Sequence, residues 1–314
     1  MSNKKSKTKG NTIRGSMIKD NIEFFFHALP AIVVTFIFCY MPMYGVIIAF
    51  KQFNPNKGIW RSPWVGVKNF DFFFTSQDAV RITRNTLLYN GAFIVLDIVF
   101  AVMLALMFFN LKNKLSLKIH NTIVILPKFM STVLVSYIVY AILNPASGIL
   151  NQIMGSLGFA GNTDWYSKPE AWPFILTFVH IWQNVGMNCI LYYASLMSID
   201  DSLFEAAIIE GAKKKHLMFN ICVPHLIPVI TISFILAVGG IFGGDFGLFY
   251  QTTRNIGTLY PTTDIIPTYV FRGLKDGNMS ISAAVGLFQS LVGMLLVILT
   301  NIIVKKVSPE NSLF

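Results

Sequence analysis

Six stretches of this chain, at about 28–50, 86–109, 119–143, 172–196, 225–244 and 281–304, stay apolar for about twenty residues or more with few charges inside them. A helix of ~20 residues spans the ~30 Å hydrocarbon core of a bilayer. Hydrocarbon offers the backbone no partner, so segments of this length cross as helices whose hydrogen bonds are internal. The pattern predicts an all-α, polytopic membrane protein: a six-helix domain over residues 27–304, with both chain ends on one side of the membrane. Composition matters here only because it excludes the alternative. With 54% hydrophobic and 13% charged residues, the chain is too apolar for an ordinary soluble domain.

The formal net charge of +10 would point to nucleic acid in a soluble chain. Here the basic residues are spread over short loops and both ends, where anionic headgroups and membrane topology account for them, and no nucleic-acid partner is expected. Residues 1–26 form a basic tail carrying Lys4, Lys5, Lys7, Lys9, Arg14 and Lys19. The apolar run that follows is too long for the core of a signal peptide and lacks a small-residue cleavage site, so it is read as a retained first span. With the amino end inside, the inner segments hold 14 Lys and Arg against 10 outside. That excess, and the greater density of Lys in the short inner loops, places both tails, 1–26 and 305–314, in the cytoplasm.

One connection differs from the others. Residues 200–223, between the fourth and fifth spans, read as a structured amphipathic element. Glu205, Ala206 and Ala207 favour helix, Ile208 and Ile209 continue an apolar face, and Gly211 can take the positive φ that ends a helix sharply. A second helical run is expected from about Ala212, with Leu217, Phe219 and Ile221 leading to Pro224 in the first turn of the next span. Helix, turn and helix are expected to lie flat at a membrane face and to present a rigid, partly apolar knob.

The order Glu205-Ala206-Ala207, Gly211-Ala212, Phe219, Ile221, Val223-Pro224 and Pro228 resembles the EAA signature of binding-protein-dependent ABC importer permeases. Glu210 stands where that family usually has Asp, and Lys213-Lys214-Lys215-His216 is more basic than usual. Gly66-Val67-Lys68-Asn69-Phe70 is similar to the Gly-x-x-Asn-Phe element of sugar permeases. Asp264 to Arg272 and Ala284 to Ser290 resemble the carbohydrate permeases of the polysaccharide or lipo-oligosaccharide subfamily.

The resemblance implies a type I ABC importer permease fold in a bacterial plasma membrane, with the EAA loop as a cytoplasmic coupling helix. It implies a second six-span permease forming a heterodimer, two cytosolic ABC ATPase subunits, and an extracellular lipid-anchored solute-binding protein. The chain itself contains no Gly-Lys dipeptide and so no P-loop of the usual form. No cofactor is expected on it; ATP and Mg belong to the ATPase, and the chain is not expected to be an enzyme. The residues implied in coupling are Glu205, Ala206, Ala207, Glu210, Gly211, Ala212, Phe219 and Pro224. Ile208, Ile209, Leu217 and Phe219 would supply apolar contact and the two glutamates would set register, since a rim ion pair is worth only about 0–1 kcal/mol.

In the fourth span His180, Gln183, Asn184 and Met187 fall on one helix face, extended by Asn188. Polar groups at this depth either bond to a neighbouring helix or face a wet cavity. The resemblance implies the second role, because the corresponding helix lines the sugar site in maltose-type permeases. The fifth span ends in Gly239, Gly240, Gly243 and Gly244, followed by Asp245. The glycines fit close helix packing, or they leave a wide passage with Asp245 near its mouth. The second reading, with Gly240, Gly244 and Asp245 on the path, predicts a carbohydrate larger than a disaccharide.

Asp97 in the second span and Lys128 in the third are expected to pair across the bundle, with a pore lining as the alternative. Cys39, Cys189 and Cys222 have no paired or metal-like spacing and are read as packing residues. No triad, metal cluster or paired carboxylates can be assembled on one membrane side. An ABC importer for a peptide or other non-sugar solute shares the EAA loop and stays open as a second reading; an integral membrane enzyme lacks any such constellation.

Overall fold

The computed structural model describes residues 24–159 and 161–307. Most of the basic amino-terminal tail and the end of the carboxy-terminal one lie outside the described residues. Among those described there is no strand; a single antiparallel bridge joins Lys51 to Trp64.

Helix α1 is Phe24–Phe50, α2 Lys68–Thr75, α3 Gln77–Phe109, α4 Lys114–Phe129, α5 Thr132–Leu143, α6 Ile149–Ser156 and α7 Pro169–Leu196. Then follow α8 Asp201–Ile209, α9 Lys214–Gly239, α10 Phe246–Thr252, α11 Ile266–Lys275 and α12 Met279–Val307. Five of these, α1, α3, α7, α9 and α12, are long and apolar enough to cross a membrane, and α4 with α5 makes a sixth span if the bent pair counts as one.

The third span is thus not the single helix expected over 119–143. It breaks between Phe129 and Thr132, where the axis turns by 97°. Pro127 lacks an N–H, the turn tightens to a 3-10 form over Leu126–Phe129, and Met130 and Ser131 go extended. Ser131 then restarts the helix by accepting a hydrogen bond from the Leu134 N–H at 3.2 Å. Prolines also deform α1, which passes through a π segment at Phe36–Tyr40 and a 3-10 segment at Met41–Phe50 around Pro42.

The most extensive packing is that of α3 against α7. Ala101 and Ala105, both fully buried, let α3 come close to Val185, Cys189 and Tyr192 of α7. Gly186 on α7 lies against the backbone of α4, for a Cβ there would stand 2.6 Å from the Val124 carbonyl carbon. A second buried cluster, around Tyr89, Trp172, Leu176 and Phe249, fills the other end of the bundle. Helices α1 and α12 flank this centre and expose apolar side chains along their length. A broad apolar exterior is what a bundle in lipid requires. Cys39 is exposed on α1, whereas Cys189 and Cys222 are buried as packing residues.

The first interhelical loop is fastened to the end of α1 by the glycine and asparagine of the Gly66–Phe70 run. Gly66 sits at φ +62°. The Asn69 amide donates to the carbonyls of Ala49 at 2.7 Å and Lys51 at 3.1 Å, satisfying oxygens that the helix end leaves open.

Candidate functional site

Helix α8 is a short rod closed at both ends by its own residues. Asp200 caps its start, accepting from the Ser202 N–H at 2.9 Å, and that bond holds the Asp200 carboxyl below the usual carboxylate range. At its end Gly211 lies at φ +84°, its N–H bonds the Ile208 carbonyl at 2.9 Å, and the Ala212 N–H bonds the Ala207 carbonyl at 2.9 Å. This pair of bonds is a Schellman stop. Phe204 packs on Phe109 and anchors the rod to α3. Leu203, Ile208 and Ile209 point away from the chain, Ile209 being 86% exposed, beside the exposed Glu205 and Glu210.

The second arm differs from the expectation of a separate element lying flat. Helix α9 starts at Lys214 and runs without interruption to Gly239, so the arm is the first part of the fifth span itself. A π turn at Met218–Cys222 absorbs the missing N–H of Pro224, which stands in the first turn of the regular segment. Phe219 is exposed, and Met218 accepts a contact from the Asn110 amide at 3.4 Å.

The polar stripe of α7 splits among three neighbours. His180 Nε2 stands 3.0 Å from Asp97 Oδ2 and its ring stacks on Phe93 at 3.7 Å. Gln183 is buried and donates to the Met130 carbonyl at the break of the third span, at 3.3 Å. Asn184 donates to the His180 carbonyl at 2.9 Å and accepts from Lys128 Nζ at 2.7 Å. Met187 is exposed. Asp97 and Lys128 therefore do not pair with each other; each is held by α7, because α7 lies between α3 and α4. The interhelical reading holds for His180 and Gln183.

Asn188 and His180 border a cavity of about 230 Å³ between α3, α7 and α9, shared with Asn90, Asp97, Ser233 and Gly240. Its wall includes two buried polar atoms without a hydrogen-bond partner, Asp97 Oδ1 and His180 Nδ1. Of the glycines ending the fifth span, Gly240 alone borders this space. Gly239 is in close contact with α12, where a Cβ would overlap Val297, and Gly244 makes a turn at φ +64°. Asp245 caps α10 by accepting from the Leu248 N–H at 2.9 Å. Close packing and a tight turn thus occupy Gly239 and Gly244, and helix capping engages Asp245.

A third polar centre was not foreseen. Asp264, with a fully buried side chain, accepts from Arg272 at 2.6 Å, Arg81 at 3.1 Å and the Thr268 hydroxyl at 2.9 Å. Its backbone carbonyl takes the Asn85 amide at 3.0 Å. These bonds tie the segment before α11 to the start of α3, and they give a physical content to the Asp264–Arg272 run. A cavity of about 530 Å³ opens beside the two arginines. An aspartate and an arginine eight residues apart carry no sequence sign that the aspartate will also meet Arg81, far back in the chain.

Comparison with known proteins places this geometry in a family. Residues 97–309 match the family described as binding-protein-dependent transport system inner membrane component. The chain is 33% identical over 293 residues to Protein LplB of Bacillus subtilis (strain 168), covering 90% of this chain and 88% of the relative. It is 32% identical over 289 residues to the polygalacturonan/rhamnogalacturonan transport system permease protein YteP of the same strain, again covering 90% and 88%. Among solved structures, it superposes with a TM-score of 0.84 and 30% identity on a chain of a bacterial ABC transporter involved in the import of the acidic polysaccharide alginate, covering 93% of this chain and 98% of that one. The match is equally close, at a TM-score of 0.84 and 29% identity with 93% and 97% covered, to a bacterial alginate ABC transporter in complex with alginate pentasaccharide-bound periplasmic protein.

Proposed function

The chain belongs to the binding-protein-dependent transport system inner membrane components, and from that premise we propose that it is a multi-pass permease subunit importing an oligosaccharide with energy supplied by separate ATPases. It is the carbohydrate-import subunit of an ABC transporter. Both termini lie in the cytoplasm and α8 on the cytoplasmic face, a reading that the density of Lys in the short inner loops supports. A second, related permease completes the passage as a heterodimer, and an extracellular lipid-anchored binding protein delivers the sugar.

The observation that carries the coupling is α8 with its stop. A Schellman-closed rod fixed to α3 by Phe204, with Ile208 and Ile209 bare beside Glu205 and Glu210, is a surface that a cytosolic partner can grip and push. Glu205, Ala206, Ala207, Gly211, Ala212 and Phe219 hold that surface in shape, and Pro224 sits where the push enters the fifth span. Because α9 is continuous from Lys214, displacement of the Gly211 turn is transmitted directly along α9. Apolar contact and backbone shape dominate the grip, as exposed ion pairs add only about 0–1 kcal/mol.

The passage runs beside Asn184 and Met187 of α7, where Met187 is bare on the surface of the chain. The test is reconstitution of the permease pair, ATPases and binding protein in proteoliposomes, with ATP hydrolysis and uptake measured against neutral and acidic oligosaccharides, monosaccharides, peptides and amino acids. Oligosaccharides longer than two units are expected to stimulate both. Stimulation by peptides alone, or uptake without ATP, overturns the reading.

A further inference from the structure

Among the described residues, Lys128 is the one in which charge, depth and exposure disagree with a merely structural role. It lies in the last turn of α4, next to the break of the third span. Its partner Asn184 is midway along the Trp172–Leu196 helix, so at a rise of ~1.5 Å per residue it stands roughly 18 Å from either end. Lys128 Nζ is 2.7 Å from the Asn184 oxygen, which places the ammonium at that same depth.

Among the described residues no carboxylate lies within 4.0 Å of it; the ion pairs formed there involve Arg81, His180 and Arg272 instead. Asp97, the nearest candidate by sequence reasoning, is held by His180 at 3.0 Å. An ammonium facing hydrocarbon at this depth is costly, and such residues face wet cavities or other protein. Lys128 and its neighbours Phe129 and Met187 are exposed on the surface of this chain. That surface is therefore the wall of the passage.

The amide next to it is oriented for the purpose. Asn184 spends its N–H on the His180 carbonyl at 2.9 Å and so turns its oxygen to Lys128. An amide oxygen holds the ammonium without neutralising it. Two of the three ammonium protons remain for another acceptor.

We propose that Lys128 is a specificity-determining residue of the translocation path, where its ammonium, positioned by Asn184, receives the anionic group of an acidic saccharide at the membrane midplane. The carboxylate of a uronic acid is the group the saccharide reading favours; a phosphate ester shares the chemistry. The inference rests on the importer reading above.

The test uses the complete importer in proteoliposomes with three probes: tetragalacturonate, maltotetraose and glycerol 3-phosphate. In the wild type, tetragalacturonate is expected to be taken up. Lys128→Gln is expected to raise its KM at least tenfold relative to that for maltotetraose, and Lys128→Arg to recover most of the loss. Asn184→Asp, which sets a carboxylate beside the ammonium and leaves Lys128 in place, is expected to give the same selective loss, and it decides the matter if Lys128→Gln does not assemble. An unchanged KM ratio in both variants overturns the proposal, as does equal loss in Lys128→Gln and Lys128→Arg. Wild-type uptake of maltotetraose alone overturns it while leaving the importer reading intact. Uptake of glycerol 3-phosphate without tetragalacturonate overturns the carboxylate assignment, and uptake of none of the three removes the saccharide reading itself.

Discussion

Replacing Gly186 with alanine tests whether the approach of α7 to α4 is what holds the third span in register. A Cβ at this position would stand 2.6 Å from the Val124 carbonyl carbon, closer still to its oxygen, and 3.0 Å from the Ile125 nitrogen. Carbon atoms pack comfortably at about 3.5 Å or more, so the two helices must part by on the order of 1 Å. The obstacle is backbone, and no rotamer change relieves it. Overpacking of this kind costs about 1–3 kcal/mol, and the better helix propensity of alanine returns part of it, leaving a net loss of about 1–2 kcal/mol. Gly91 in α3 is the matched control, since a Cβ there meets nothing within 4 Å. Gly91→Ala is expected to be neutral or to stabilise by up to about 1 kcal/mol. Unfolding of the purified protein by detergent titration in mixed micelles reads both. Val124→Ala is expected not to rescue Gly186→Ala, because the clash is with the carbonyl and not the side chain. Equal stability of Gly186→Ala and Gly91→Ala, or rescue by Val124→Ala, refutes the reasoning.

Two further outcomes follow from separate parts of the structure. Asp264→Ala leaves Arg272 without its carboxylate and Arg81 with only Asp78 at 2.8 Å; breaking a buried pair costs about 3–5 kcal/mol, reduced to about 2–4 here because both arginines are partly exposed. The same detergent titration checks this, and wild-type stability in the variant counts against a structural role for the Asp264 centre. Gly211→Val strains a residue at φ +84° by about 1–2 kcal/mol, at a position where an added Cβ meets nothing within 4 Å. It is expected to lower substrate-stimulated ATP hydrolysis by the assembled importer while membrane insertion is unchanged, and full coupling in that variant argues against the α8 turn as the point of force transfer.

The length of the apolar segments and the distribution of lysines made the all-α membrane fold readable from the sequence, because hydrocarbon leaves a long apolar segment no conformation except helix. Gly211 and its neighbours were readable for a related reason: a helix stop is local, and the φ +84° turn follows from residues adjacent in the chain. Helical periodicity likewise placed His180, Gln183, Asn184 and Met187 on one face.

What that face touches was decided only by packing. The stripe meets α3 through Asp97, the broken third span through Met130 and Lys128, and open surface at Met187, and no spacing along α7 distinguishes these neighbours. The 97° break turns on how Pro127 and the extended Met130 and Ser131 are accommodated, since proline inside an apolar run is compatible with a kink, a pause or a stop. The glycines after α9 could not be apportioned in advance between packing, turn and cavity, because a missing side chain acquires a meaning only from what stands opposite it. Asp264 lies furthest from sequence sight: its two arginines come from different helices, and a buried charge selects its partners in space, where desolvation makes an unpaired one too costly to keep.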